Sequence, residues 1–245
     1  RKLENYDLTI SLPKVIWTGY TGQGFPVMIE TNLSGKTLRV LLEEASVQVD
    51  GAARTLGRFL AALHSGPKHP AIEEFEQGRP RFADLPSYAR HYLAEWRPLC
   101  ERVTYASLKE IDQAYEIVER GMAHFTEKEF PFIHMDTSIE NLLGENDGGV
   151  IRLTGICDFE NMQTGPAEMD LATLHDTVFM FYPRMEAPFW EGYLEGGAMS
   201  ATNAKRLQAA GLFRILRYIK RTVKYKEDHF AEVNSRRLRR WLGQF

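Results

Sequence analysis

The chain's 245 residues suffice for one large domain or for two lobes around a cleft. Hydrophobic residues make up 44% and charged residues 26%, the balance of a soluble globular protein, and a net charge of −3 argues against a dedicated nucleic-acid binder. No run approaches the roughly 20 apolar residues of a membrane-spanning helix, so neither nucleic acid nor membrane is an expected partner.

Residues 1–12 read as the end of a helix, with Leu3 and Tyr6 on it and Pro13 ending it. Val15–Trp17 is a strand, Gly19, Gly22, Gly24 and Pro26 form a turn, and Pro26–Glu30 is the returning strand. Thr31–Gly35 is a polar break. From Thr37 the chain turns helical, and Val49, Ala52, Ala53, Leu56, Phe59, Leu60 and Leu63 share one buried face until Gly66-Pro67. Residues 66–88 are a connection rich in Gly, Pro and charge, with a short helix at Ile72–Glu76 and an acidic run of Glu73, Glu74 and Glu76. Tyr88–Val103 is a helix broken at Pro98, and Ser107–Phe125 a helix whose face carries Ile111, Ala114, Tyr115, Val118, Met122 and Phe125.

The stretch from Phe132 to Asp170 carries the chemistry. Ile133 leads to His134 and Asp136, Asn141 follows five residues later, and Leu153–Cys157 leads to Asp158. The cluster Glu145–Gly149 is a turn, so Leu142–Leu143 and Val150–Cys157 form a hairpin that can bring Asp136, Asn141 and Asp158 to one end of a small sheet. Asn141 and Asp158 are hard oxygen ligands, suited to Mg²⁺, which takes one or two protein ligands and fills its octahedron with phosphate oxygens and water. Asp136 is then left to orient a hydroxyl and accept its proton, which completes the minimal set for phosphoryl transfer. Cys157 lies in the buried strand, far from Cys100 and with no metal-binding spacing, and the two cysteines point to a reduced, cytoplasmic protein.

Beyond Asp170, Leu171, Leu174, Val178 and Phe179 mark a helix stopped by Pro183, and Phe189–Leu194 a short one. Glu191 and Glu195 on or beside it can face a cationic substrate or be ordinary exposed acids. Thr202 reads as the N-cap of a long helix to about Lys226. The last helix, Asn234–Leu242, carries Arg236, Arg237, Arg239 and Arg240, a run that either binds an anion or answers acids elsewhere.

The ordered set H-x-D-x-x-x-x-N, then C-D-F-E, then G-P-A-E-M-D-L-A from Gly165 to Ala172 resembles the catalytic core of the aminoglycoside phosphotransferase and choline kinase superfamily. The resemblance implies an α+β, protein-kinase-like two-lobed fold. Residues 1–35 would be a remnant hairpin of the N-terminal lobe with the hinge, and residues 36–245 the helical C-terminal lobe. It implies transfer of the γ-phosphate of ATP or GTP, with Mg²⁺, to a hydroxyl of a small molecule. Asp136 would be catalytic and Asn141 and Asp158 metal ligands. Glu30 and Asn32 match hinge positions whose backbone binds the nucleotide base, His134 and Asp170 would support the loop, and Glu160, Glu191 and Glu195 are candidate substrate contacts. An aminoglycoside-type acceptor is the first reading, with Glu160, Glu168, Glu191 and Glu195 as its acidic surroundings. Macrolides, choline and homoserine remain open.

This sequence departs from the family pattern at three places. The metal-binding strand reads C-D-F-E where the family usually has I-D-F or I-D-W. Met135 stands where the catalytic loop usually has Gly. The phosphate-covering loop and its Lys are not found, since Gly22–Gly24 reads as a hairpin turn and Lys2 and Lys14 lack the strand context. The resemblance therefore covers about residues 10–245, and a chain starting at Arg1 suggests a missing N-terminus. Two other classes compete: a kinase-like binding protein without catalysis, and a metal-dependent hydrolase built on His134, Asp136 and Asp158, in which Asn141 would have no role.

Overall fold

A computed structural model describes residues 10–44, 47–73, 81–197 and 203–243. In chain order the elements are β1 (Val15–Tyr20), β2 (Pro26–Glu30), β3 (Lys36–Thr37), α1 (Leu38–Leu42), α2 (Asp50–Ser65), β4 (Ile72–Glu73), β5 (Arg81–Phe82), α3 (Leu85–Cys100) and α4 (Leu108–Met122). There follow β6 (Phe132–Ile133), β7 (Leu142–Asp147), β8 (Val150–Ile156), β9 (Gln163–Thr164), α5 (Glu168–Leu174), a π-helical turn (His175–Phe179) and a 3-10 turn (Pro183–Met185). The chain ends through α6 (Glu186–Glu195), α7 (Ala204–Tyr225), a 3-10 turn (Asp228–Phe230) and α8 (Ala231–Gly243). No helix among the described residues is long and apolar enough to cross a membrane.

The elements fall into two compact units. The first comprises residues 1–65, 136–160 and 177–198. Its sheet has the order β3-β7-β8, antiparallel throughout, with Leu142 opposite Ile156 and Asp147 opposite Val150. Gly148 and Gly149 both have positive φ, 59° and 92°, as a two-residue turn matched to strand twist requires. The turn is thus tighter than the five residues of the expected cluster, and β7 runs on through Glu145 to Asp147. Ser11 forms an isolated parallel bridge with Gly155 of β8 and residues 10–12 are not helical, against the helix end expected, while Leu3 and Tyr6 lie outside the described residues. The hairpin β1–β2 is antiparallel, closed by Thr21 and Phe25, and exposes Ile16, Tyr20 and Met28. Helices α2 and α6 cross at Gly57 and Gly192: a Cβ on Gly192 would stand 2.0 Å from the Arg54 carbonyl oxygen, so the close approach needs glycine.

The second unit comprises residues 66–135, 161–176 and 199–245. Its core is helical, with Trp96, Val118, Phe213, Ile219 and Trp241 among the buried residues. Helix α4 starts at a full capping box, Ser107 with Glu110, which the sequence marks as S-x-x-E. Three expectations are corrected here. Pro98 does not break α3, because it sits in the last turn, two residues before Cys100. Ile72–Glu73 is a strand paired with Arg81–Phe82 rather than a helix, and Glu74 and Glu76 lie outside the described residues. Helix α7 is capped by Asn203, whose side chain accepts from the Lys205 N–H, while Thr202 lies outside the described residues.

Candidate active site

In the first unit the loop Asp136–Asn141 leads into β7. Asn141 Nδ2 donates to the Asp136 carbonyl at 2.9 Å, its backbone N–H donates to Ser138 O at 3.1 Å, and its carbonyl accepts the Cys157 N–H at 2.9 Å. These bonds extend the β7–β8 register by one step and set Asn141 beside Cys157, one residue before Asp158. The amide nitrogen of Asn141 is thereby committed, and its side-chain oxygen is left as an acceptor. Asp158 leaves β8 with φ 63°, a left-handed turn that Asp tolerates better than most side chains. Among the described residues no hydrogen bond or ion pair takes up its carboxylate. Asp136, Asn141 and Asp158 are all half-buried, and Glu160 is exposed.

Other contacts hold this loop that the sequence did not announce. The Thr177 hydroxyl donates to the Thr137 carbonyl at 2.8 Å, the Arg39 N–H donates to Ile139 O at 3.1 Å, and the Arg39 guanidinium pairs with Glu140. Their partners are 40 and 101 residues away, and a single Thr or an exposed Arg carries no local signal of such a bond. The polar segment 31–35 runs along the same strands. Ser34 O accepts from the Thr154 hydroxyl at 3.3 Å, and Leu33 packs against Gly155. Glu30 ends β2 and Asn32 follows it, both exposed. Burial, then the charges of Asp158 and Glu30, push the Cys157 thiol up, so the end of β2 and the end of β8 share one electrostatic environment. Cys157 is half-buried rather than buried, and it and Cys100 are both free thiols.

In the second unit β6 pairs with β9, Phe132 opposite Thr164, and delivers His134 and Met135 to Asp170. The Asp170 carboxylate, fully buried in the first turn of α5, accepts the His134 N–H at 2.8 Å and the Met135 N–H at 2.6 Å. The backbone immediately before Asp136 is thus held by one carboxylate. Met135 sits at φ 69°, which explains why glycine suits this position. His134 is completely buried.

The acids expected around a cationic acceptor are mostly engaged elsewhere. Glu191 pairs with Arg54, and Glu195 accepts from Arg58 Nε at 3.0 Å and Nη2 at 2.7 Å, so both tie α6 to α2. Glu168 is buried against Arg206, 2.7 Å from its Nε, and burial pushes its carboxyl up despite that cation. Of the four, Glu160 alone is neither buried nor paired among the described residues. In the C-terminal run, Arg236 answers Glu232 and Arg239 answers Glu110, as an acid-matched surface would.

The donor set suits a small hard cation. One carboxylate and one amide oxygen stand at the same end of a hairpin, and no group of three or more His, Cys, Asp or Glu among the described residues is arranged to hold a metal. Oxygen donors of this kind fit a hard divalent ion such as Mg²⁺.

A family model described as "Phosphotransferase enzyme family" matches residues 1–208. Among solved structures, the GDP and kanamycin complex of APH(2")-IIia is 17% identical with a TM-score of 0.68, covering 97% of this chain and 78% of its own. A thermostable mutant of aminoglycoside phosphotransferase APH(4)-Ia, in ternary complex with ADP and hygromycin B, is 15% identical with a TM-score of 0.68, covering 100% of this chain and 82% of its own. The gentamicin complex of APH(2")-IIa is 20% identical with a TM-score of 0.60, over 100% and 78%. No curated protein matches. The fold is therefore the α+β, protein-kinase-like one that the motifs imply.

Proposed function

The chain belongs to the phosphotransferase enzyme family, and from that premise we propose that it moves the γ-phosphate of ATP or GTP to a hydroxyl of a small molecule. The observation that carries the reading is the end of the β7–β8 hairpin. There Asn141 and Asp158 stand together, their oxygens uncommitted, beside the loop that holds Asp136. Asp136 would orient the acceptor hydroxyl and take its proton late, since a loose transition state asks little of the base. Asn141 and Asp158 would hold Mg²⁺, which supplies charge neutralisation at the phosphates when bound. Asp170 would fix the loop through the His134 and Met135 N–H groups. The backbone around Glu30 and Asn32 would receive the nucleotide base. On this reading residues 1–35 would supply the hairpin and hinge and residues 36–245 the catalytic loop and acceptor side.

For the acceptor, an aminoglycoside-type antibiotic is the first candidate, since the similar structures are named with kanamycin, gentamicin and hygromycin B. Glu160 is the acid left to meet such a cation. Glu191 and Glu195 are better read as ties between α2 and α6.

The test is Asp136→Asn, assayed for turnover against an aminoglycoside panel and for Mg-dependent ATP and GTP binding by calorimetry. Turnover should fall by about 10²–10⁴-fold with nucleotide affinity unchanged. Undiminished turnover would remove Asp136 from the chemistry. Tight nucleotide binding with no transfer to any hydroxyl, in the parent chain, would favour the kinase-like binding protein instead.

A further inference from the structure

The π-helical turn that follows α5 opens with His175 and Asp176, and in the second unit these two residues meet three arginines. Arg214 Nη1 donates to Asp176 Oδ2 at 2.9 Å, and the Trp241 indole N–H donates to Oδ1 at 2.7 Å. Both carboxylate oxygens are thus occupied, in a pair whose side chains are only 1% and 4% exposed. Arg237 reaches Asp176 only at its main-chain oxygen, Nη2 to O at 3.0 Å, and its Nε is buried with no hydrogen-bond partner. Arg240 Nη2 stands 3.4 Å from His175 Nε2, an acceptor only while the imidazole is neutral. Three guanidinium groups therefore gather at His175 and Asp176, and of the three only that of Arg214 bonds the carboxylate.

The surplus is physical and not a matter of counting. The charged groups acting on Arg237 are Asp176, which favours its cationic form, and Arg214, which opposes it. Burial comes first among the causes that push its guanidinium down from the usual range. A half-buried cation beside a second, fully buried cation is unfavourable unless an anion completes the set. Arg236 and Arg239, on the outer side of the same helix, each have an acid; among the described residues Arg237 and Arg240 have no acidic side chain in an ion pair. The Tyr218 hydroxyl, 3.1 Å from Arg214 Nη2, adds a neutral polar group beside them. A planar guanidinium fork matches two oxygens of a carboxylate or phosphate.

We propose that Arg237 and Arg240, backed by Arg214 and Tyr218, form a subsite for a small oxyanion, a phosphate or carboxylate group. The subsite belongs to the second unit and stands independently of the phosphotransfer reading. Its ligand is either a free inorganic anion or the anionic group of a small organic molecule.

The experiment is isothermal titration of the full chain with sodium phosphate and sodium sulfate, at ionic strength matched with sodium chloride. Thermal unfolding in the same three salts accompanies it. Phosphate and sulfate should bind and raise Tm above the chloride value. Arg237→Gln should weaken phosphate binding by roughly 10- to 100-fold, the loss of one charge-assisted contact. Identical behaviour in all three salts, or unchanged phosphate affinity in Arg237→Gln, would overturn the subsite. Should that variant fail to fold, Arg240→Gln, at the more accessible edge, gives the same reading with a smaller loss. Glycerol 2-phosphate separates the sources: binding about ten-fold tighter than inorganic phosphate assigns the site to an organic ligand, and equal or weaker binding to the free anion. Because Arg237 lies outside the β7–β8 hairpin and its loop, failure here leaves Mg-dependent nucleotide binding intact. Failure of the phosphotransfer reading leaves the anion titration intact.

Discussion

Asp170 and Asp176 lie six residues apart in the second unit, both buried, and solve the cost of a buried carboxylate in opposite ways. Asp170 has two main-chain N–H groups, from His134 and Met135, at its two oxygens. Its negative charge sits in the first turn of α5, where the peptide dipoles favour it. Asp176, at the other end of that segment, meets a guanidinium and an indole N–H. The first arrangement shapes backbone and the second joins side chains of α7 and α8. A carboxylate that holds main chain fixes the backbone it bonds, here that of His134 and Met135. One that holds side chains controls packing and local charge balance.

The two roles separate under the same substitution. Asp170→Asn leaves one carbonyl to serve two buried donors and removes the charge, costing about 1.5–3 kcal/mol of stability. With Asp136 in the proposed role of base, turnover should fall by about a hundredfold, because a displaced loop misaligns it. Asp176→Asn strands Arg214 in the core and should cost about 3–5 kcal/mol, with a fall in Tm of roughly ten degrees. Turnover per folded molecule, measured well below the new Tm, should change little. Denaturant unfolding and steady-state kinetics on both variants decide it. Equal kinetic losses, or a larger stability loss at Asp170, would break the distinction.

Much of the Asp170 side was legible because it is local. A strand-like run before each acid and a cluster of turn residues are short patterns, and β7 and β8 follow from them. The start of an apolar helix marks Asp170 as an acceptor for backbone N–H groups, and its carboxylate takes those of His134 and Met135. The Asp176 side was not legible. Arg214 and Trp241 are 38 and 65 residues from it, so that no spacing encodes the cluster. The same holds for Glu191 and Glu195, whose arginine partners lie 137 residues upstream on α2. Glu160, by contrast, has no such partner among the described residues. The strand at Ile72–Glu73 was missed for a related reason: two residues give no period, and pairing with Arg81–Phe82 decides the conformation.

Met135 sharpens the Asp170 side from the other end of the hydrogen bond. Its left-handed φ costs a non-glycine residue about 1–2 kcal/mol, while its side chain, 8% exposed, packs in the helical core. Substitution by Gly removes both the strain and the packing; substitution by Ala removes the packing and keeps the strain. Met135→Gly should therefore be more stable than Met135→Ala by about 1 kcal/mol, although Ala buries more, and both should fall below the parent. The Gly variant should keep its turnover, because the N–H to Asp170 is retained. The opposite order in urea unfolding would mean that the loop relaxes around Met135 and that Asp170 does not impose its conformation.

The smallest effect tests the outward face of the arginine run against the inward one. Glu110 accepts the Ser107 N–H at 2.7 Å and the Arg239 Nε–H at 2.8 Å, and these contacts, against a modest burial penalty, hold its carboxyl down at about 2. A carboxyl depressed on folding stabilises at pH values above its ordinary range. That contribution is lost as pH falls from about 4.5 toward 2, where the folded protein takes up the proton as well. Glu110→Gln should thus cost about 1 kcal/mol at neutral pH, the worth of a helix cap with an exposed ion pair. Parent and variant should converge as pH approaches 2. Added salt should weaken the Arg239 part of the difference, whereas the cost of Asp176→Asn, whose partner is shielded from solvent, should be nearly salt-independent. If both costs fell equally with salt, the Arg214 pair would behave as a surface pair, and the argument that Arg237 lacks an anion would lose its basis.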